Sequence, residues 1–230
     1  MSQYRDKSCR KKLYALLIIL IVVTSFMIII DFIIKPEYAI KSICKIILFV
    51  VIPIVYLKFY GKISLKDILT PRKKGIKHSI LLGLLLYVII LGSFLIARNF
   101  LDFSTIIPSL KEANIDRSIF IYVALYIAFI NSFIEEFFFR GFIFFSLLEI
   151  TDRKWAYLIG SMFFAYYHMG MLTSMMNIVI LIVSVVSLVV AGYILSYINE
   201  KNKNIYASWI VHMFANFSIN TIGLTLFGII

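Results

Sequence analysis

Apolar runs of about 20 residues recur along the whole chain, at 13–34, 44–60, 79–97, 118–148, 155–171, 175–198 and 205–228. A helix needs about that length to cross roughly 30 Å of hydrocarbon. Spanning β-strands would alternate in polarity over about ten residues, and these runs do not alternate. In hydrocarbon every backbone N–H and C=O must be satisfied within the segment, so helices are the remaining backbone solution. The sequence therefore predicts an all-α, polytopic transmembrane helical bundle of about seven spans, with an eighth if the 118–148 run splits in two. The second run is the weakest, because Lys41 and Lys45 shorten it and Pro53 lies inside it.

The basic residues give the bundle an orientation. With the N-terminus in the cytoplasm, sixteen Lys and Arg fall on the cytoplasmic side, and six on the other: Lys35, Lys41, Lys45, Arg98, Lys111 and Arg117. That asymmetry follows the positive-inside rule. The basic "RDKSCRKK" before the first run resembles the start of a signal peptide. The run is longer than an h-region and no A-x-A site follows, so it is expected to remain as the first span. A formal charge of +11 raises nucleic acid as a partner, but the cations sit at span ends without a binding motif, so none is expected. Cys9 and Cys44 are too few and too far apart for a disulfide framework or a thiolate metal site. No Pro-, Gly- or Ser-rich linker and no internal repeat interrupts the chain. Its parts are read as 1–117, with spans one to three and their basic segments, and a core at 118–230, together one membrane domain.

Within the fourth run, "IEEFFFRGF" places Glu135, Glu136 and Arg140 in six positions. A charge at mid-bilayer costs about 2.5–3.5 kcal/mol on insertion scales, so three together must face protein or water. Glu136 and Arg140 are four apart and share a helix face, which suits a charge-assisted pair; Glu135 points about 100° away. The "TDRK" turn at 151–154 makes spans four and five an antiparallel hairpin. Glu135 precedes it by 16 residues and His168 follows it by 14, which puts carboxylate and imidazole at nearly one depth. In the seventh run Ser208, His212, Asn216 and Asn220 recur at every fourth position, drawing a polar stripe on an apolar helix. Hydrogen bonding between helices is the plain alternative for all of these groups. His78, among lysines at a span end, is read as solvated. Asn177, Ser184, Ser187 and Gly192 are read as packing positions in span six, and Asp31 with Lys35 as an i, i+4 pair.

Three motifs in order, EExxxR at Glu135, Glu136 and Arg140, FxxxH at Phe164 and His168, and HxxxN at His212 and Asn216, resemble the CPBP intramembrane proteases. This is the family of CAAX prenyl endopeptidases and bacteriocin-processing proteins, also called Abi. The resemblance covers about a third of the chain, and no motif position departs from it. It implies peptide-bond hydrolysis inside the membrane at a site reached from the cytoplasm. In members that process prenylated proteins, a C-terminal tripeptide after a lipidated cysteine is removed; bacterial relatives are linked to bacteriocin maturation, self-immunity or signalling.

Amide hydrolysis requires a deprotonated water, an acid for the leaving amine and donors for the oxyanion. The expected assignment makes Glu135 the general base, its pKa raised by burial beside Glu136, with His168 holding the water. His212 and Asn216 would donate to the oxyanion, Glu136 and Arg140 would orient Glu135, and Phe164 would support His168. Zinc held by Glu135, His168 and His212 is an open alternative, although the HExxH spacing of soluble zinc proteases is absent. A peptide or lipidated protein is the expected substrate, with membrane lipid as surroundings. Composition rich in Ile, Lys and Asn points to a bacterial plasma membrane. The competing readings are a non-enzymatic bacteriocin immunity or interaction protein built on the same polar core, and a transporter, for which paired repeats would be expected.

Overall fold

The computed structural model describes residues 7–61 and 63–230, so Arg5 and Lys62 of the basic census, and the first six residues that bear on the side of the N-terminus, lie outside the described residues. The described residues form helices and no strand. The helix α1 covers Lys7–Ile29 and widens into a π-helical turn at Ile30–Ile34. After it come α2 (Tyr38–Phe59), a short α3 (Leu65–Leu69), α4 (Ile76–Ala97), a short α5 (Ile106–Glu112), α6 (Phe120–Ile150), α7 (Arg153–Met175), α8 (Ile178–Asn202) and α9 (Ile205–Leu226). Five of them, α1, α2, α4, α6 and α8, are long and apolar enough to cross a membrane. This is an integral, multi-pass membrane protein. The other two long helices, α7 and α9, carry His168 and His212. The 118–148 run is one helix and does not split.

Helix ends follow local chemistry. Asn177 caps α8 by accepting from Val179 and Ile180 N–H, and Asn204 caps α9 by accepting from Tyr206 N–H. Asn177, expected as a packing residue inside the sixth span, is therefore its first-turn cap. Ahead of α6, Asp116 accepts from the Ser118 hydroxyl and from Ser118 and Ile119 N–H. Those bonds, the Ser118 hydroxyl first, hold its carboxyl below the usual carboxylate range. Inside α2, Pro53 follows a π-helical turn at Ile47–Val51. The wider turn accommodates a ring that has no N–H and would crowd the carbonyl four residues back.

Two expected features of the second span change. It begins at Tyr38 rather than near residue 44, because both lysines that were expected to shorten it have anionic partners. Lys41 Nζ lies 2.6 Å from Asp31, and Lys45, only 5% exposed, turns into the bundle. The expected Asp31–Lys35 pair does not form. Lys35 adopts the left-handed conformation (φ 46°) that ends the π turn and meets Glu112 at 3.4 Å instead.

The helix α6 lies at the centre. Half of its apolar window is buried, against 11–28% for the other four apolar helices, which turn broad Leu, Ile and Val faces outward as hydrocarbon permits. Aromatic rings fill the space around it: Phe49 of α2 stacks on Phe138 at 4.3 Å and meets Phe139 and Tyr167 edge-on. α7 packs along α8, α1 crosses α7, and α9 packs along α4 and against α6. Small residues allow the closest approaches. A Cβ added at Gly192 of α8 would stand 2.9 Å from the Ser161 Cα of α7, an atom of the backbone that cannot rotate away. Gly192→Leu is therefore expected to force α7 and α8 apart and lower stability by about 1–3 kcal/mol, read as an earlier unfolding midpoint in detergent. An unchanged midpoint would mean that the two helices do not meet there.

Candidate active site

The three motifs meet at the middle of α6. Its central turn, Ser132–Glu136, is α-helical and lies between two π-helical segments, Ile127–Asn131 and Phe137–Phe144. A widened turn opens backbone carbonyls to a second donor, and a carbonyl oxygen has two lone pairs to offer. Two residues of the α9 stripe, and Trp209 beside it, donate to carbonyls in or just before the first widened turn. Asn220 Nδ2 donates to Ala124 O at 2.8 Å, Asn216 Nδ2 to Ile127 O at 3.2 Å, and Trp209 Nε1 to Phe129 O at 3.1 Å. These bonds fix the rotation of α9 about its axis and turn His212 towards α6.

Glu135 and Glu136 are both buried, at 2% and 0% exposure, and their environments differ. Glu136 Oε1 accepts from Arg140 Nη1 at 3.0 Å and from His212 Nδ1 at 2.9 Å. The spacing rule thus identifies the pair. Its expected task of orienting Glu135 is not what the geometry shows, since the pair holds His212. Glu135 Oε1 accepts from Asn131 Nδ2 (2.7 Å), Tyr167 Oη (3.1 Å) and Lys45 Nζ (3.2 Å). Its other oxygen, Oε2, faces His168 Nε2 and His212 Nε2, each at 3.7 Å.

Each imidazole has its tautomer set by the bond at its other nitrogen. His168 Nδ1 donates to Phe164 O at 2.7 Å, and His212 Nδ1 donates to Glu136, so in a neutral ring Nε2 carries the lone pair. Phe164 also lies edge-on to both rings, at 4.7 and 5.8 Å, and holds the Arg140 guanidinium over its face at 4.0 Å. Arg140 is 1% exposed, and its charge is shared between that face and Glu136. The structure therefore brings Glu135, Glu136, Arg140, Phe164, His168 and His212 into one cluster, with Asn216 one turn along α9, half-buried against Ile127. His78 is exposed at the start of α4, away from this cluster.

Three members were missed in the sequence. Asn131 carried a usable signal, because it stands four residues before Glu135 on the same face. Tyr167 had only its place beside His168. Lys45 had no signal, since a lysine near the start of an apolar run reads as a span end.

Two imidazole nitrogens and a carboxylate oxygen are chemically suited to zinc. As placed they do not fit it. Their 3.7 Å separations exceed the roughly 3.3 Å between neighbouring ligands of a tetrahedral ion with 2.0–2.1 Å bonds. Among the described residues no group of three or more His, Cys, Asp or Glu is gathered to hold a metal ion, and Lys45 already balances the carboxylate. A water oxygen at about 2.7–3.0 Å from Glu135 Oε2 and from a histidine Nε2 suits each of those two spacings.

Residues 117–218 match the family model described as Rce1-like, type II CAAX prenyl endopeptidase. No curated protein and no solved structure matches the chain. The matched segment contains all three motifs and the whole Glu–His cluster except Lys45. The match, over somewhat less than half of the chain, is to the type II CAAX prenyl endopeptidases, the protease family that the motifs resemble.

Proposed function

We propose that the protein is an intramembrane endopeptidase that cleaves a membrane-associated or lipidated peptide with a water activated by Glu135. The observation that carries this reading is the convergence of Glu135 Oε2 and the two Nε2 atoms, with both Nδ1 atoms engaged elsewhere. A water there donates one proton to Glu135 Oε2 and a second to His168 Nε2, leaving an oxygen lone pair for the scissile carbonyl carbon. As the C–O bond forms, Glu135 takes the first proton. The carbonyl oxygen becomes an oxyanion, which accepts from the second N–H of Asn216 and from His212 Nε2–H, a proton that the ring, neutral before, takes up from solvent as substrate binds and releases when the oxyanion collapses. The C–N bond then breaks as Glu135 returns its proton to the leaving amine. Glu136, braced by Arg140, keeps His212 aimed throughout.

His168 is the more exposed of the two imidazoles, with 14% of its side chain open, and substrate enters past it. The reading places seven long helices across a bacterial plasma membrane, with the N-terminus and the basic turns in the cytoplasm. Mass spectrometry of membrane peptides from cells carrying the intact protein or Glu135→Gln tests it and identifies the substrate together. Peptides that depend on Glu135 support hydrolysis. Identical profiles, with an immunity or binding phenotype retained by the variant, would assign the polar core to interaction instead.

The metal-free chemistry has its own test. Dialysis of purified active protein against a chelator is expected to leave turnover within about twofold, with far less than one zinc per chain by elemental analysis. Stoichiometric zinc whose removal stops cleavage, and whose return restores it, would reverse the assignment.

A further inference from the structure

We infer that Lys45 is a positioning residue for the Glu135 carboxylate, a role that rests on the hydrolytic reading above. Lys45 lies on α2, outside the segment that matches the protease family, so the family match assigns it nothing. Its burial is unusual for a lysine. The ammonium is enclosed by Asn131 Oδ1 at 2.5 Å and Glu135 Oε1 at 3.2 Å, with the Tyr167 ring centre at 5.0 Å.

The consequence follows from counting lone pairs. A carboxylate oxygen offers about two good acceptor directions, and Oε1 of Glu135 receives three donors, from Lys45, Asn131 and Tyr167. Oε1 is saturated, and the carboxylate cannot rotate without breaking all three bonds. Oε2 remains the oxygen with free lone pairs, and it faces the two histidines. Lys45 also settles the charge balance. Glu136 has Arg140 as its cation, whereas Glu135 has Lys45 alone, so removing that ammonium leaves a buried carboxylate with neutral donors only. Lys45 thus selects the reacting oxygen and compensates its charge from a helix that carries none of the three motifs.

The test uses the full chain in lipid nanodiscs and a quenched fluorescent peptide ending in a farnesylated cysteine and three further residues. Lys45→Met is expected to lower kcat by about 100-fold or more with KM within about threefold, and Lys45→Arg to recover the rate to within about tenfold of the parent. A lysine that only packs would give equal kcat in all folded variants, or no rescue by arginine, and either result overturns the inference. Thermal unfolding of Lys45→Met, Glu135→Gln and the double variant supplies a cycle independent of turnover. Coupling is expected, with Lys45→Met lowering the midpoint less when Glu135→Gln is already present. Additive midpoints would mean that the two side chains are not partners. An inactive parent with coupling intact would refute the hydrolytic reading, and the positioning role with it; an active parent with unaltered Lys45→Met refutes the role alone.

Discussion

Replacing Glu135 by glutamine is expected to reduce cleavage by about 1,000-fold or more while the protein stays folded in the membrane. The amide has the shape of the carboxylate, and the site can accept it. Its oxygen can take the place of Oε1, where Asn131, Tyr167 and Lys45 donate, and its NH2 then points at the two Nε2 acceptors. What the variant loses is the ability to take a proton from water and return it to the leaving amine. Lys45 is left without its anion, so a modest fall in thermal midpoint accompanies the loss. The measurement is turnover of the farnesylated peptide alongside elution and helicity in nanodiscs. Retained turnover would remove Glu135 from the chemistry. Unfolding would mean that it serves the helix bundle first.

How much of this was legible depends on whether a contact lies within one helix or between helices. Glu136 and Arg140 pair because four residues bring side chains to one face, a rule that survives even at the edge of a π-helical segment. Glu135 and His168 meet because a hairpin with a short turn fixes depth, and depth is a matter of counting. The stripe on α9 is equally periodic, and its neighbour could be anticipated only as another polar helix. Partner choice was less visible. Consecutive residues on a helix point about 100° apart, so Glu136 reaches His212 on α9 while Glu135 reaches α2 and α7. From the sequence, Glu136 was expected to orient Glu135; in the structure it contacts His212 instead.

Lysines show the same limit from the other side. A census of charges treats a lysine near an apolar run as a marker of the interface, and that rule misses Lys41 and Lys45, whose anions sit on other helices. Asp31 illustrates why spacing alone was insufficient. Its i, i+4 neighbour Lys35 belongs to the turn that ends the helix, in a left-handed conformation that redirects the side chain, and Lys41 from α2 takes the place. The π-helical segments of α6 have no comparable sequence mark. In the first, Ile127–Asn131, carbonyls take donors that α9 brings, such as Asn216 at Ile127 O, a match that becomes readable only when both helices are in view.

Arg140 provides the second large effect, because it separates holding the helices together from aiming His212. Arg140→Met keeps the side chain's length and apolar stem, and leaves Glu136 as a fully buried carboxylate without its guanidinium partner, still bonded to His212. Breaking a buried pair on one side costs about 3–5 kcal/mol, and a large fall in the unfolding midpoint is expected. Neutralising the partner should reverse it. In Arg140→Met with Glu136→Gln neither buried charge remains, and such replacements are often neutral for stability, so the double variant is expected to recover most of the midpoint. Activity should not recover with it. A glutamine can accept from His212 Nδ1 but brings no negative charge to the doubly protonated ring that donates to the oxyanion, and a cost of about 100-fold in kcat is expected to persist. If stability and turnover return together, the Glu136–Arg140 pair is a structural tie; if stability returns and turnover does not, the pair holds His212 for the reaction.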